Sequence, residues 1–109
     1  MSRLKDIDIA KRLVRTQASD KKRSIDFDLS FAKLKRILNA KRCFFTGAKL
    51  NYDNPEHDHY LTLDRLDALK GYTDDNLVAC GRAFNLRKGE LSARDIILMY
   101  KGLKKQKLI

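Results

Sequence analysis

Apolar residues recur at helical spacing in the first part of the chain. Between residues 4 and 17, Leu4, Ile7, Ile9, Ala10, Leu13 and Val14 form a ragged stripe with Lys5, Lys11, Arg12 and Arg15 around it, which predicts an amphipathic helix lying over the core or along a duplex. Ser19 to Ser24 reads as a polar, basic break. A short extended stretch, Ile25 to Leu29, follows, and Ser30 is placed to cap a second helix running to about Ala40. Phe31, Leu34, Ile37 and Leu38 give that helix its apolar face, and Lys33, Lys35, Arg36 and Lys41 give it a wet side.

The period then shortens. Cys43 to Gly47 reads as a short apolar strand with a glycine turn, and Asn51 to His59 as a polar loop that includes Pro55. Tyr60 to Asp64 and Asn76 to Cys80 predict a hairpin, joined through the turn-rich Lys70 to Asp75. Helical pattern resumes from Arg82 to Arg87 and breaks at Gly89. Ser92 with Asp95 then forms a capping box for a closing helix whose apolar face is Ile96, Ile97, Tyr100 and Leu103, ending in a basic tail from Lys101 to Lys107. No internal repeat or second boundary interrupts this order. The expected fold is one α+β domain over residues 1–109: a basic helical arm (1–42), a central hairpin and helix (43–90), and a C-terminal helix with a basic tail (91–109).

Charge adds an argument about partners. The 109 residues carry 24 Lys and Arg against 14 Asp and Glu, a net charge of +10, which on a small domain points to a polyanion. The excess is uneven: residues 1–42 sum to +8, residues 43–80 to −4 and residues 81–109 to +6. Carboxylates where a polyanion docks repel it unless a cation intervenes, so the acidic centre suggests metal-dependent phosphodiester chemistry. The plainer alternative is a set of solvated basic helices balanced by an acidic loop. The longest apolar run, Ile96 to Tyr100, falls far short of the roughly 20 residues that span a bilayer, and the N-terminus has no apolar signal core. No membrane association is expected, and the location is cytoplasmic. Two cysteines, Cys43 and Cys80, cannot build a disulfide framework.

The densest set of polar landmarks runs from Leu63 to Gly89. Asp64-Arg65 closes a strand, Gly71-Tyr72 lies in the loop, Asn76 opens the next strand, and Asn85 and Lys88 stand on the following helix. In that order they resemble the HNH (His-Me finger, ββα-metal) endonucleases, in particular small phage-type members, over roughly residues 43–90. The resemblance implies a ββα-metal finger in which Asp64 and Asn85 ligate one Mg²⁺ or Mn²⁺ ion and Asn76 hydrogen-bonds across the loop. The position after the strand-closing acid is usually the histidine that deprotonates water; here it is Arg65. A guanidinium cannot serve as general base at physiological pH, but it can pair with a phosphate oxygen and stabilise charge.

Of the substitutes, His59 faces away from Asp64 on a regular strand, which leaves Asp67 as the better proton acceptor. Lys88 and Arg82 would point from the finger helix toward phosphate, with Lys11, Arg12 and Arg15 as further DNA contacts. Relatives often carry two Cys-x-x-Cys knuckles that bind zinc. Here Thr46 and Ala83 stand at the partner positions, so Cys43 and Cys80 are read as buried thiols without structural zinc, packed by Phe44, Phe45 and Phe84. The function expected is a metal-dependent endonuclease or nickase acting on double-stranded or branched DNA in a phage or mobile-element setting. The alternatives are an HNH-fold nucleic-acid-binding or regulatory protein that does not cleave, and a protein that engages a host partner through its basic helices.

Overall fold

A computed structural model describes residues 4–23 and 26–109. Helix α1 spans Asp6–Lys22, with Asp6 and Asp8 in its first turn and Lys21 and Lys22 in its last, the charge order that suits a helix dipole. It runs through most of the predicted break at Ser19 to Ser24; Ser24, like Ile25 of the predicted extended stretch, lies outside the described residues. The inward stripe explains the difference. It continues from Ile9 and Leu13 to Thr16 and Asp20, so the face persists after its apolar signal has ended. Thr16 donates to the Arg12 carbonyl at 2.8 Å, and Asp20 is fully buried. Of the predicted apolar stripe, Ile9 is buried with Leu4 and Leu13 packed beside it, whereas Ile7 and Val14 are exposed.

Strand β1 (Phe27–Asp28) leads to helix α2 (Phe31–Leu38). The Ser30 hydroxyl accepts from the Lys33 N–H at 3.1 Å, and Leu34, Ile37 and Leu38 enter the core. The Cys43 to Gly47 segment is a turn rather than the expected strand. Gly47 sits at φ +73°, and its N–H reaches the Cys43 carbonyl at 3.0 Å, which folds the run back on itself. Phe44 N–H then docks on the Ala79 carbonyl at 2.9 Å.

Strands β2 (Leu61–Arg65), β3 (Tyr72–Thr73) and β4 (Leu77–Gly81) follow. The predicted hairpin is present: β2 and β4 pair antiparallel from Leu61 opposite Gly81 to Arg65 opposite Leu77. A parallel pairing of β1 with β3, Phe27 opposite Tyr72, has no counterpart in the sequence reading. Gly71 permits it, because a Cβ there would lie 2.0 Å from the Asp26 carbonyl oxygen. The core gathers Ile9, Leu34, Leu38, Leu61, Leu77 and Cys80, so the basic N-terminal helices are part of it.

Helix α3 (Arg82–Lys88) leaves β4 directly and ends at Gly89, φ +56°. Helix α4 (Ala93–Lys105) has the predicted Ser92/Asp95 capping box. It does not close over the core. None of its residues is buried, and Ile97, Met99 and Tyr100 are about half exposed. Amphipathic spacing identifies a face without specifying what it meets; the Ala93 N–H to Leu66 carbonyl bond at 2.7 Å anchors only the helix start. The molecule measures 49 × 30 × 23 Å. Among the described residues, no helix is long and apolar enough to cross a membrane.

The Asp74 carboxylate accepts from the Ser30 N–H at 2.7 Å, tying the β3–β4 turn to the start of α2. That bond holds the Asp74 carboxyl below its ordinary range. A carboxyl depressed in the folded state contributes stability above its unfolded pKa, about 3.9, and loses it as pH falls through the lower folded value. In urea unfolding, Asp74→Asn should lower stability at neutral pH by less than about 1 kcal/mol, as for an exposed group. The difference from wild type should narrow as pH falls below the ordinary carboxyl range and close once the folded carboxyl is protonated; a deficit that persists in strong acid would show that the bond is not its source.

Candidate functional site

Strand alternation turns Thr62 and Asp64 toward α3, and the i, i+3 spacing of Asn85 and Lys88 presents both to the strand. Asn85 Nδ2 donates to Thr62 Oγ1 at 2.9 Å and to the Leu63 carbonyl at 3.1 Å. Lys88 Nζ donates to Asp64 Oδ1 at 3.3 Å and to the Arg65 carbonyl at 3.2 Å. The side chains of Lys88 and Asp64 are 1% and 8% exposed. Lys88 therefore points inward onto a carboxylate, not outward to phosphate as expected. The ammonium is also 3.3 Å from Asp64 Oδ2, but only Oδ1 receives it in hydrogen-bond geometry, and Oδ2 is buried with no hydrogen-bond partner.

The two thiols lie beneath this cluster. Cys43 Sγ is 3.7 Å from Cys80 Sγ. Burial drives the Cys80 thiol far above its ordinary range, with Cys43 and Asp64 adding to the effect and Lys88 opposing it. Burial acts on Cys43 in the same direction but is outweighed by hydrogen bonds from the Thr46 hydroxyl and the N–H groups of Gly81, Thr46 and Phe45, so its thiol lies below the usual range. Phe45 meets Phe44 edge-to-face and Phe84 at a tilt, at centroid distances of 5.1 and 5.6 Å, and the Lys88 ammonium sits 5.4 Å from the Phe45 ring. Among the described residues, no three His, Cys, Asp or Glu side chains converge as a metal-ligand group.

Arg65 is engaged within the protein. It donates to the Lys70 carbonyl at 3.1 Å and lies 5.5 Å over the Tyr72 ring. Asn76 is buried and braces the loop between the strands, accepting from the Asp67 N–H and donating to the carbonyls of Asp67 and Gly71 at 2.8–3.1 Å. Asp67 itself accepts from the Leu69 N–H at 2.9 Å. His57 and His59 lie together, their rings 5.8 Å apart, and His59 packs against Gly81, the end of the hairpin away from Asp64. Arg82, expected at phosphate, instead staples that loop. It donates to the carbonyls of Glu56 and His57 at 2.8 and 3.3 Å and lies 3.6 Å from the Asp58 carboxylate.

A second feature was not anticipated. Between α1 and β2 runs a groove of about 460 Å³. Arg12 and Arg15 line it, whereas Lys11 lies on the other flank of α1 with Ile7 and Val14. Arg23, Asp20, Tyr60 and Tyr72 complete the groove. Arg23 donates to Asp20 Oδ1 at 2.7 Å, and its guanidinium is held above its ordinary value by the Tyr72 hydroxyl first and by Asp20 second. The i, i+3, i+11 spacing of Arg12, Arg15 and Arg23 marks one helix flank, a signal hidden by ending the helix at residue 17.

No family model matches the chain, and no solved structure matches it. Over 89 residues, 82% of its length, it is 36% identical to an uncharacterized 29.0 kDa protein in the dda-modA intergenic region of Enterobacteria phage T4. The matched part is 35% of that protein, so the chain spans about a third of the length of the curated relative it matches.

The Asp64–Lys88 pair sets a stability test. Removing one partner leaves a buried charge unmatched, so Lys88→Met should cost about 3–5 kcal/mol in denaturant unfolding, while Asp64→Leu combined with Lys88→Met should recover most of that loss. A cost of Lys88→Met below about 1 kcal/mol would mean that the pair behaves as a solvated surface bridge.

Proposed function

We propose that this chain is an HNH-type module acting on nucleic acid, a divalent-metal endonuclease or nickase that works on phage or host DNA in the bacterial cytoplasm. The observation that carries this reading is the convergence of Asp64, Asn85 and Lys88 on one hairpin and one helix, with Asp64 Oδ2 buried and lacking a hydrogen-bond partner. The strand–loop–strand–helix order, with Asn76 bracing the loop, supports assignment of a ββα finger. The relative in a T4 phage supports the phage setting.

The donor set suits a hard cation. Oδ1 of Asp64 takes the Lys88 ammonium, and Oδ2 of Asp64 with the amide oxygen of Asn85 would hold magnesium or manganese. When bound, such an ion supplies neutralisation of charge on the scissile phosphate and the leaving oxygen. The chain's own groups do the rest. Lys88 holds Asp64 in place as an anion, Asn76 keeps the loop carrying Asp67 and Gly71 rigid, and Arg65 leaves the Lys70 carbonyl to clamp a phosphate oxygen. Neither histidine lies beside Asp64, which leaves Asp67 as the acceptor of the water's proton.

The second reading, a finger that binds without cleaving, is favoured by two observations. The internal ammonium already stands 3.3 Å from both carboxylate oxygens, and a permanent cation occupies the usual base position at Arg65.

The decisive assay is nicking of supercoiled plasmid and of a branched duplex with magnesium or manganese. Cleavage should require either metal and fall at least a hundredfold in Asp64→Asn and Asn85→Ala, about the weight of a single charge-stabilising group, with folding of each variant checked by circular dichroism. Binding without cleavage under both metals would establish the second reading, and absence of both would refute the HNH assignment.

A further inference from the structure

We propose that the groove between α1 and β2 binds an unpaired DNA strand, its phosphates on Arg12 and Arg15, a base against Tyr72, and a base N–H on Asp20. Three observations converge there. First, Arg12 and Arg15 on one flank of α1, and Arg23 just beyond its end, line the groove, with Arg15 and Arg23 also open to solvent. A polyanion entering it would release counterions at each contact.

Second, the groove contains a carboxylate where a simple anion site would have none. Asp20 is fully buried; one oxygen holds Arg23 at 2.7 Å, and the other has no hydrogen-bond partner. A buried acceptor without a donor is costly and marks a place for one. An anion without a donor would satisfy the arginines and leave that oxygen unmatched. A DNA nucleotide brings both parts, a phosphate for the arginines and a base N–H for Asp20.

Third, Tyr60 and Tyr72 line the same groove. Aromatic rings flanked by arginines form stacking platforms for bases that are not already stacked in a duplex. At about 460 Å³ the groove has the volume of a small-molecule pocket, the scale of a nucleotide unit. Arg65 lies over the same Tyr72 ring, so a strand leaving the groove along that ring reaches the residue assigned to clamp the scissile phosphate. The inference rests on the nucleic-acid reading above and narrows it to DNA with unpaired nucleotides, such as a branch or a frayed end.

The test is fluorescence anisotropy of the full chain in EDTA, so that binding is read apart from cleavage. The probe is a labelled mixed-sequence DNA strand of about 12 nucleotides, within the usual span of single-strand sites, compared with the blunt duplex of the same sequence. The single strand should bind at least tenfold more tightly. Arg12→Ala and Arg15→Ala should each weaken it and reduce the log–log salt slope by about 1, while Lys49→Ala leaves it unchanged. Tyr72→Leu should weaken single-strand binding about tenfold without altering duplex binding. Equal affinity for strand and duplex, or wild-type binding by both arginine variants, would overturn the proposal. Cleavage that persists in those variants would leave the nuclease reading intact, and groove binding by a protein that never cleaves would leave this one intact.

Discussion

Lys88 carries a full positive charge to a position almost sealed from water, and Asp64 makes that tolerable. Desolvating either group alone costs several kcal/mol, on the order of a small domain's whole stability. The pair therefore acts as a constraint more than as a source of stability: β2 and α3 can pack closely only in the register that brings Asp64 under Lys88. Asn85, one turn earlier, satisfies Thr62 and the Leu63 carbonyl in that same register. The aromatic contact of Phe45 with Phe84 and the thiols of Cys43 and Cys80 fill the space on either side. This hairpin and helix are thus held together by one buried ion pair, hydrogen bonds from side-chain amides and a sulfur-rich apolar seam.

The elements legible in the sequence are those whose signal is local. Ser30 and Ser92 announce helix starts through their own hydroxyls, Gly89 announces a helix end, and the two β-rich runs pair in the predicted order. What escaped depends on distant partners. The last turns of α1 are held by Thr16 and Asp20, polar residues that no apolar period can reveal. The β1–β3 pairing depends on the missing Cβ of Gly71 facing Asp26, more than forty residues earlier. For α4 the amphipathic pattern is real, but pattern alone does not say whether a partner face exists within the chain.

The same distinction governs the site residues. Asp64, Asn76 and Asn85 were singled out as a set, and the fold brings Asp64 and Asn85 to one face and puts Asn76 at the heart of the loop. Lys88 and Arg82 were read by charge as phosphate contacts, yet each ends on protein atoms, a carboxylate in one case and two carbonyls in the other. Charge in a sequence is a number attached to a residue; whether it reaches solvent is set by the helix face. Arg12 and Arg15 lie on the flank that meets β2, Lys11 on the one that does not. Arg23 and the two groove tyrosines could have joined them only if α1 had been followed to Lys22.

The uneven charge also changes meaning in three dimensions. Along the chain, an acidic middle separates two basic ends. Folded, the arginines of α1 line the groove beside β2, the strand that carries Asp64, and Tyr72 links that groove to Arg65. Negative charge in this region is largely internal: Asp64 is matched by Lys88, and Asp20 by Arg23. A strand approaching this face therefore meets guanidinium groups and aromatic rings first, with the carboxylates held behind them. Burial and pairing thus withdraw Asp64 and Asp20 from that face, while the acids of the 51–59 loop and of the β3–β4 turn keep their charge at the surface.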